Sequence, residues 1–117
     1  MSSGIAAAEL DRRIAIVRPG ALVDDGMTKV PGPDVEVGKR WARKTDASDA
    51  ERRQAAQQGQ ELTTRFLVRW DSLTASVDAT YRLVCEGVAY EVVATKEARG
   101  RRIGIEITAM ARPDVRS

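Results

Sequence analysis

The sequence predicts a mostly β domain: a small antiparallel six-stranded β-barrel or sandwich with one inserted α-helix and a long first loop. The first observation is alternation: in residues 61–70, Leu62, Phe66 and Val68 share one face, and Arg65 and Arg69 lie on the other, which is the period of a half-buried strand. The second observation is that Gly, Pro and Asp-Gly signals separate such segments. Strands are expected at residues 10–18, 39–45, 61–70, 80–85, 88–94 and 101–109.

The 117 residues suffice for one domain, residues 1–117, with a thin core. Residues 1–9 are small and alanine-rich, so we expect a flexible N-terminal arm or a short docking helix. Pro113 is expected to end regular structure and to leave residues 113–117 as a tail. The chain contains no apolar run of roughly 18 residues and no signal-peptide pattern, so we expect no membrane association and a protein made and used in a cytoplasm.

The first loop, residues 20–38, is rich in Gly and Pro. Asp25 and Gly26 form a hairpin-turn signal inside it. A loop of this length in a small domain tends to be functional or mobile. We therefore consider it either a docking loop or a plain solvent-exposed loop. The acidic residues that would make the docking contacts are Asp24, Asp25, Asp34 and Glu36.

Residues 46–60 are the one segment that reads as a helix. Ser48 is a good N-cap, Glu51 completes a capping box, and Gly59 is a plausible stop. The segment contains no Leu, Ile, Val, Phe or Met, so the helix has no apolar stripe to pack on a core. It is either a solvated surface helix or an element that moves or refolds against neighbouring subunits.

The sequence lacks the residue patterns that most enzyme mechanisms require. The chain has one cysteine, Cys85, and no histidine, which excludes disulfide frameworks, Cys/His zinc sites and His-dependent triads. Cys85 lies in an apolar strand-like run and is expected to be a buried, inert thiol. Residues 100–104 open a strand and match no phosphate-binding loop. No cofactor is expected, and an enzyme is the least favoured class.

The charge balance gives little support to nucleic-acid binding by itself. The net charge is +2, from 19 basic and 17 acidic residues that are interspersed along most of the chain. Basic residues could still meet on one side of a barrel, with Trp41 and Trp70 as stacking platforms. We favour contacts between subunits, in which basic side chains pair with acids of a neighbour. The possible interface residues are Arg12, Arg13, Arg43, Arg99, Arg101 and Arg102.

Several short motifs occur in a characteristic order over nearly the whole chain, about residues 4–112. They are residues 10–14, Asp25-Gly26, residues 41–43, the polar helix with Ser48 and Glu51, residues 64–70, residues 81–84, Gly87 with residues 90–93, and residues 103–107. In this order and spacing the chain resembles the phage head–tail joining or head-closure proteins, also called stoppers. The family pattern is structural, so no catalytic residue is carried over.

The resemblance implies a small β-barrel subunit that joins into a ring, usually a dodecamer, below the portal and adaptor. Such a ring closes the head after DNA packaging, blocks or passes the packaged DNA, and presents a surface to the tail-completion or tail-terminator protein. The protein would then lie in the neck of a virion, of a phage or a gene-transfer particle, after assembly in the host cytoplasm. In members that plug the channel, the gate lies between the second and third strands. Here the gate segment would comprise Ser48, Asp49, Glu51, Arg52, Arg53, Gln54, Gln57, Gln58 and Gln60.

Two other classes stay open at this stage. A tail-completion or tail-terminator protein has a similar barrel, and a hexameric partner on the tail side would favour it. A nucleic-acid-binding β-barrel is the third class, and single-strand binding with a steep salt dependence would favour it.

Overall fold

The alternating segments of the sequence form strands, and six of them close into one antiparallel barrel. The computed structural model describes residues 5–24, 26–46, 48–59 and 63–116. In chain order the elements are β1 (Arg12–Arg18), β2 (Leu22–Asp24), β3 (Lys29–Pro31), β4 (Val35–Thr45), α1 (Asp49–Gln58), β5 (Thr64–Arg69), α2 (Ser72–Ala75), β6 (Arg82–Cys85), β7 (Val88–Ala98) and β8 (Gly104–Arg116). The order around the barrel is β1-β4-β5-β8-β7-β6, with β6 paired to β1. The predicted barrel with one inserted polar helix is confirmed.

The barrel interior is filled by the inward-facing residue of each alternating pair. Phe66 has no exposed surface, and its ring meets the ring of Tyr90 edge to face at a centroid distance of 5.1 Å. The strand register places inward-facing residues of neighbouring strands beside one another; Phe66 of β5, for example, pairs with Ile107 of β8. Burial of these side chains is the main stabilising contribution to a domain of this size. The remaining members of this core include Ile14, Ile16, Val68, Leu83, Cys85, Val92, Ile105 and Ala109.

The last two strands are longer than the sequence predicted. β7 continues to Ala98, through residues expected to form a charged loop, because it pairs with β8 as far as Ala98 and Gly104. β8 begins at Gly104 and not at residue 101, and it continues past Pro113, where regular structure was expected to end. The β7–β8 register shifts between Val88 and Tyr90, opposite the stretch that contains Pro113. An irregular stretch of this kind can accommodate a residue that lacks a backbone N–H.

The first loop contains regular structure, although its composition had suggested an irregular loop. β2 and β3 form a separate two-stranded antiparallel sheet within it, and β4 already begins at Val35 instead of residue 39. Gly26 lies in the turn with a φ of 93°, a conformation that favours glycine. Asp25, the other half of the predicted turn signal, lies outside the described residues. Strands of three residues are too short to show a period in the sequence, so the two strands were not predicted, although the turn signal between them was recognised.

The segment before β1 packs on the outside of the barrel. Ile5 and Leu10 are buried with Leu67, a β5 residue that points away from the barrel interior. A short 3-10 turn, Ala7–Glu9, joins them. The segment that was expected to be a flexible arm or a short docking helix thus gives the outward-facing Leu67 an apolar cover; residues 1–4 lie outside the described residues. Leu10 accordingly lies outside the barrel and before the start of β1.

Candidate assembly surfaces

The helix α1 has well-formed ends and almost no buried surface. The Ser48 hydroxyl accepts a hydrogen bond from the Glu51 N–H at 3.2 Å, and the Glu51 carboxylate accepts one from the Ser48 N–H at 3.1 Å. Gly59 ends the helix in the left-handed conformation, with a φ of 68°. The predicted capping box and stop are both confirmed, although α1 is shorter than residues 46–60. Every residue of α1 is exposed except Ala55, which is half-buried.

The contact between α1 and the barrel is weak where the structure shows it. Arg65 of β5 donates a hydrogen bond to the Glu51 carboxylate at 3.4 Å, and both side chains are nearly half exposed. Exposed ion pairs of this kind contribute about 0–1 kcal/mol. The pKa of Glu51 is lowered chiefly by its hydrogen bond from the Ser48 backbone, and Arg65 lowers it to a smaller extent. The predicted gate residues Asp49, Arg52, Arg53, Gln54, Gln57 and Gln58 are exposed on α1, and Gln60 lies outside the described residues.

The acidic residues of the first loop are partly engaged within the chain. The Asp24 carboxylate accepts a hydrogen bond from the Gly26 N–H at 2.8 Å and so braces the hairpin turn. Asp34 forms an ion pair with Arg82 at the start of β6. Glu36 is exposed on β4. Asp25 lies outside the described residues, and the docking role of these acids stays a prediction.

The six possible interface arginines do not form a single patch. Arg12 pairs with Glu86 at 2.6 Å, and Arg13 lies over the ring of Trp41 at 5.1 Å. Arg102 lies over the ring of Trp70 at 5.3 Å, so each of the two tryptophan rings has a guanidinium group of its own chain over one face. Arg101 is exposed in the turn between β7 and β8. The remaining two, Arg43 and Arg99, are brought together by one carboxylate.

That carboxylate belongs to Glu9, a residue that the sequence analysis did not select. Arg99 donates to Glu9 at 2.7 Å, and Arg43 does so at 3.3 Å. The hydrogen bond from Arg99, followed by one from the Ala6 N–H, lowers the pKa of Glu9 to about 2. Glu9 thus connects the N-terminal segment to β4 and to the end of β7. Arg43 and Arg99 lie 34 and 90 residues further along the chain, beyond the reach of any local sequence signal.

The Glu9 contacts predict a pH dependence of stability. The folded pKa of about 2 lies below the ordinary value of 4.5, so the contribution of the ionised group is present above pH 4.5 and is lost as the pH falls toward 2. We expect Glu9→Gln to have a lower thermal midpoint than the wild type at neutral pH, with the difference disappearing near pH 2. Thermal unfolding followed by circular dichroism at both pH values tests this. A difference that stays constant with pH would contradict it.

Two apolar features are exposed at opposite ends of β1. On the β2–β3 hairpin, Leu22, Val23 and Met27 are 64%, 49% and 92% exposed. Near the start of β1, Trp41 is 50% exposed and borders an open depression. The residues that line this depression are Ala7, Leu10, Trp41 and Arg69. Sequence reasoning named Trp41 as a stacking platform for nucleic acid but did not select the depression beside it or the apolar hairpin residues.

Cys85 is buried in the barrel core, as predicted, and burial raises the pKa of its thiol. Its low exposure, 1%, keeps the thiol away from solvent. In the described ranges, no three His, Cys, Asp or Glu side chains gather closely enough to hold a metal ion. Within the described residues, every helix is too short or too polar to span a membrane.

Comparison with known proteins agrees with the barrel. No curated protein matches the chain. The solution structure of protein SF1141 from Shigella flexneri 2a is similar, with a TM-score of 0.68 and 19% identity over 95% of this chain and 100% of that one; at this identity the likeness shows the fold. The model of the family described as phage head completion protein matches residues 5–112, which include all six barrel strands up to the middle of β8. This chain therefore belongs to the phage head completion protein family, whose role in phage head assembly is structural.

Proposed function

We propose that the protein is a neck component of the virion that joins the head to the tail and closes the portal channel after DNA packaging. Copies would form a ring, for which a dodecamer is our expectation, between the portal or adaptor ring and the tail-completion or tail-terminator protein. Family membership supports a role in head assembly. The finer assignment depends on α1, the exposed helix inserted between β4 and β5.

The observation that supports closure of the channel is that α1 has well-formed caps but does not pack on the core. Its local hydrogen bonds are well made, yet it contributes no residue to the buried core. A helix that contributes no residue to the core can leave the barrel without opening that core. We infer that the segment lines or closes the channel when neighbouring subunits supply the surface that the isolated chain lacks.

The contacts between subunits are proposed to involve charges at the barrel rim. The acids of the first loop and the six arginines named above would pair with neighbouring copies or with the adaptor. The existing pairs, such as Arg12 with Glu86 and Arg82 with Asp34, are exposed enough to exchange partners in a ring. Charged contacts of this type fix orientation more than they add affinity.

Negative-stain microscopy of particles produced with and without the gene tests the proposed function. Its deletion is expected to leave empty or DNA-leaking heads beside free, complete tails. Abnormal tails beside filled heads would contradict head closure and support a tail-completion role. Normal particles would contradict both.

Hydrogen exchange tests the gate segment separately. We expect the amides of residues 50–58 to exchange rapidly in the free protein, because exposed helices open locally at low free-energy cost. Their protection should rise on assembly, when neighbouring subunits cover the segment. Strong protection in the free protein that stays unchanged on assembly would contradict the gate.

A further inference from the structure

We propose that the apolar hairpin of one copy docks into the Trp41 depression of the next copy in the ring. The apolar hairpin is defined by Leu22, Val23 and Met27 on β2–β3, and the Trp41 depression by Ala7, Leu10, Trp41 and Arg69. This inference rests on the proposed ring and specifies which two surfaces build it. The centre of the contact is apolar, and the acid–base pairs that the sequence suggested lie around it.

The hairpin has the properties of a preformed protrusion. A two-stranded hairpin without a sheet to pack on is marginal in water, and this one exposes apolar side chains on its first strand and at its turn. Its root is nevertheless fixed by close backbone packing: a Cβ on Gly20 would lie 2.1 Å from the Pro33 carbonyl oxygen. The Gly32 N–H also donates to the Ala21 carbonyl at 2.9 Å. A rigid root lowers the ordering cost of docking the tip.

The depression has the properties of a matching receptor. Its floor is set by Leu10, which is 5% exposed, and its wall by the half-exposed ring of Trp41. Arg69 holds the N-terminal segment in place by donating to the Ile5 carbonyl at 3.0 Å. Partly exposed tryptophans beside apolar pockets are typical anchors of protein interfaces.

The positions of the two features favour a second copy as the occupant. Val35, where the chain returns from the hairpin, pairs with Arg18, whereas Trp41 pairs with Arg13. The two pairs are five positions apart along β1, which corresponds to roughly 17 Å at the rise per residue of an extended strand. A protrusion and a receptor at opposite ends of one subunit are the requirement for a head-to-tail interface, which forms a ring when the rotation closes.

The charges around the two features are compatible with this pairing. Asp24 and Glu36 flank the hairpin, with Lys29 paired across it from Asp24. On the receptor side, Arg69 lines the depression and Arg13 lies over the Trp41 ring. The carboxylates of one copy would therefore face guanidinium groups of the next around an apolar centre.

Cysteine cross-linking tests the inference. Met27→Cys and Ala7→Cys are combined in one chain, since both positions are exposed and the native Cys85 is buried. Met27→Cys with Ala79→Cys is the matched control, because Ala79 is also exposed but lies just before β6, at the other end of the barrel from Trp41. Both variants are oxidised as purified protein at high concentration and inside assembled particles, and non-reducing gels are compared.

We expect the Met27/Ala7 pair to give a ladder of intermolecular disulfides, at least about tenfold more intense than the control pair, because docking raises the local thiol concentration. Equal ladders from both pairs, or variant protein incorporated into particles that stays monomeric after oxidation, would overturn the inference and leave the neck function standing. A ladder in purified protein, together with particles that contain none of the protein, would support the interface and remove the neck function.

Discussion

Replacing α1 by a glycine–serine linker of equal length is expected to leave the barrel folded while the particle loses its DNA. Residues 49–58 bury nothing in either apolar core, so the thermal midpoint should fall by less than about 4 °C. The gate, in contrast, would lose its helix and most of its polar side chains. The share of DNA-filled heads, counted by electron microscopy, should fall as far as it does when the whole gene is deleted.

The controls separate the gate from general damage. Val93→Ala, a change at an exposed position on β7, should pass through the same assays with normal stability and normal filled heads. The linker variant should also be present in the particle in normal amount, since its barrel is intact. Filled heads at the wild-type level with the linker variant in place would contradict the gate, although the neck position could still hold.

Phe66→Ala is expected to have the largest effect on stability. Phe66 is fully buried, packs edge to face on Tyr90 and lies beside Ile107 in the register of β5 and β8. Truncation of a buried phenylalanine typically costs about 3–5 kcal/mol, through lost transfer free energy and the cavity left behind. Domains are stable by only about 5–15 kcal/mol, so a large part of the total would be lost.

Urea unfolding of Phe66→Ala and the wild type measures this difference. Val93→Ala again supplies the matched control, because its side chain is 44% exposed and the change should stay within about 0.5 kcal/mol. Loss of less than about 1 kcal/mol in Phe66→Ala would show that the ring is not part of a tightly packed interior.

The barrel could be predicted because its information is local and repetitive. Alternation assigned Phe66 and Val68 to one face of a strand, and the structure buries both. The caps of α1 were predictable for the same reason, since Ser48 and Glu51 are three residues apart and interact within one turn. A pattern that repeats within ten residues needs no knowledge of the rest of the chain.

The outer layer could not be predicted because it depends on distant segments. Alternation placed Leu67 on the outward face of β5, but nothing nearby in the sequence indicates that Ile5 and Leu10 cover it. The pairing of Glu9 with Arg43 and Arg99 depends in the same way on the closed barrel. A segment of small residues with one isoleucine therefore read as an arm, although it is a packed part of the domain.

Sequence reasoning selected the segments that form the candidate assembly surfaces, but not the residues that these segments expose most. The first loop was selected for its acids, yet Asp24 and Asp34 have partners within the chain. The side chains that the loop exposes most are apolar, with Met27 at 92%. Composition shows which side chains are charged, whereas only the folded backbone determines which of them already have partners.

The place of β8 in the barrel sets an order for folding during synthesis. β8 follows the other five barrel strands along the chain, yet it lies between β5 and β7. Until the ribosome has released it, the nascent chain can form at most an open sheet in the order β5-β4-β1-β6-β7, with the edges of β5 and β7 unpaired. Unpaired edges of this kind recruit other chains. Nascent subunits made close together on one messenger are therefore exposed to mispairing until β8 inserts, and a slow final step would lower the yield of soluble protein without any change in the stability of the finished barrel.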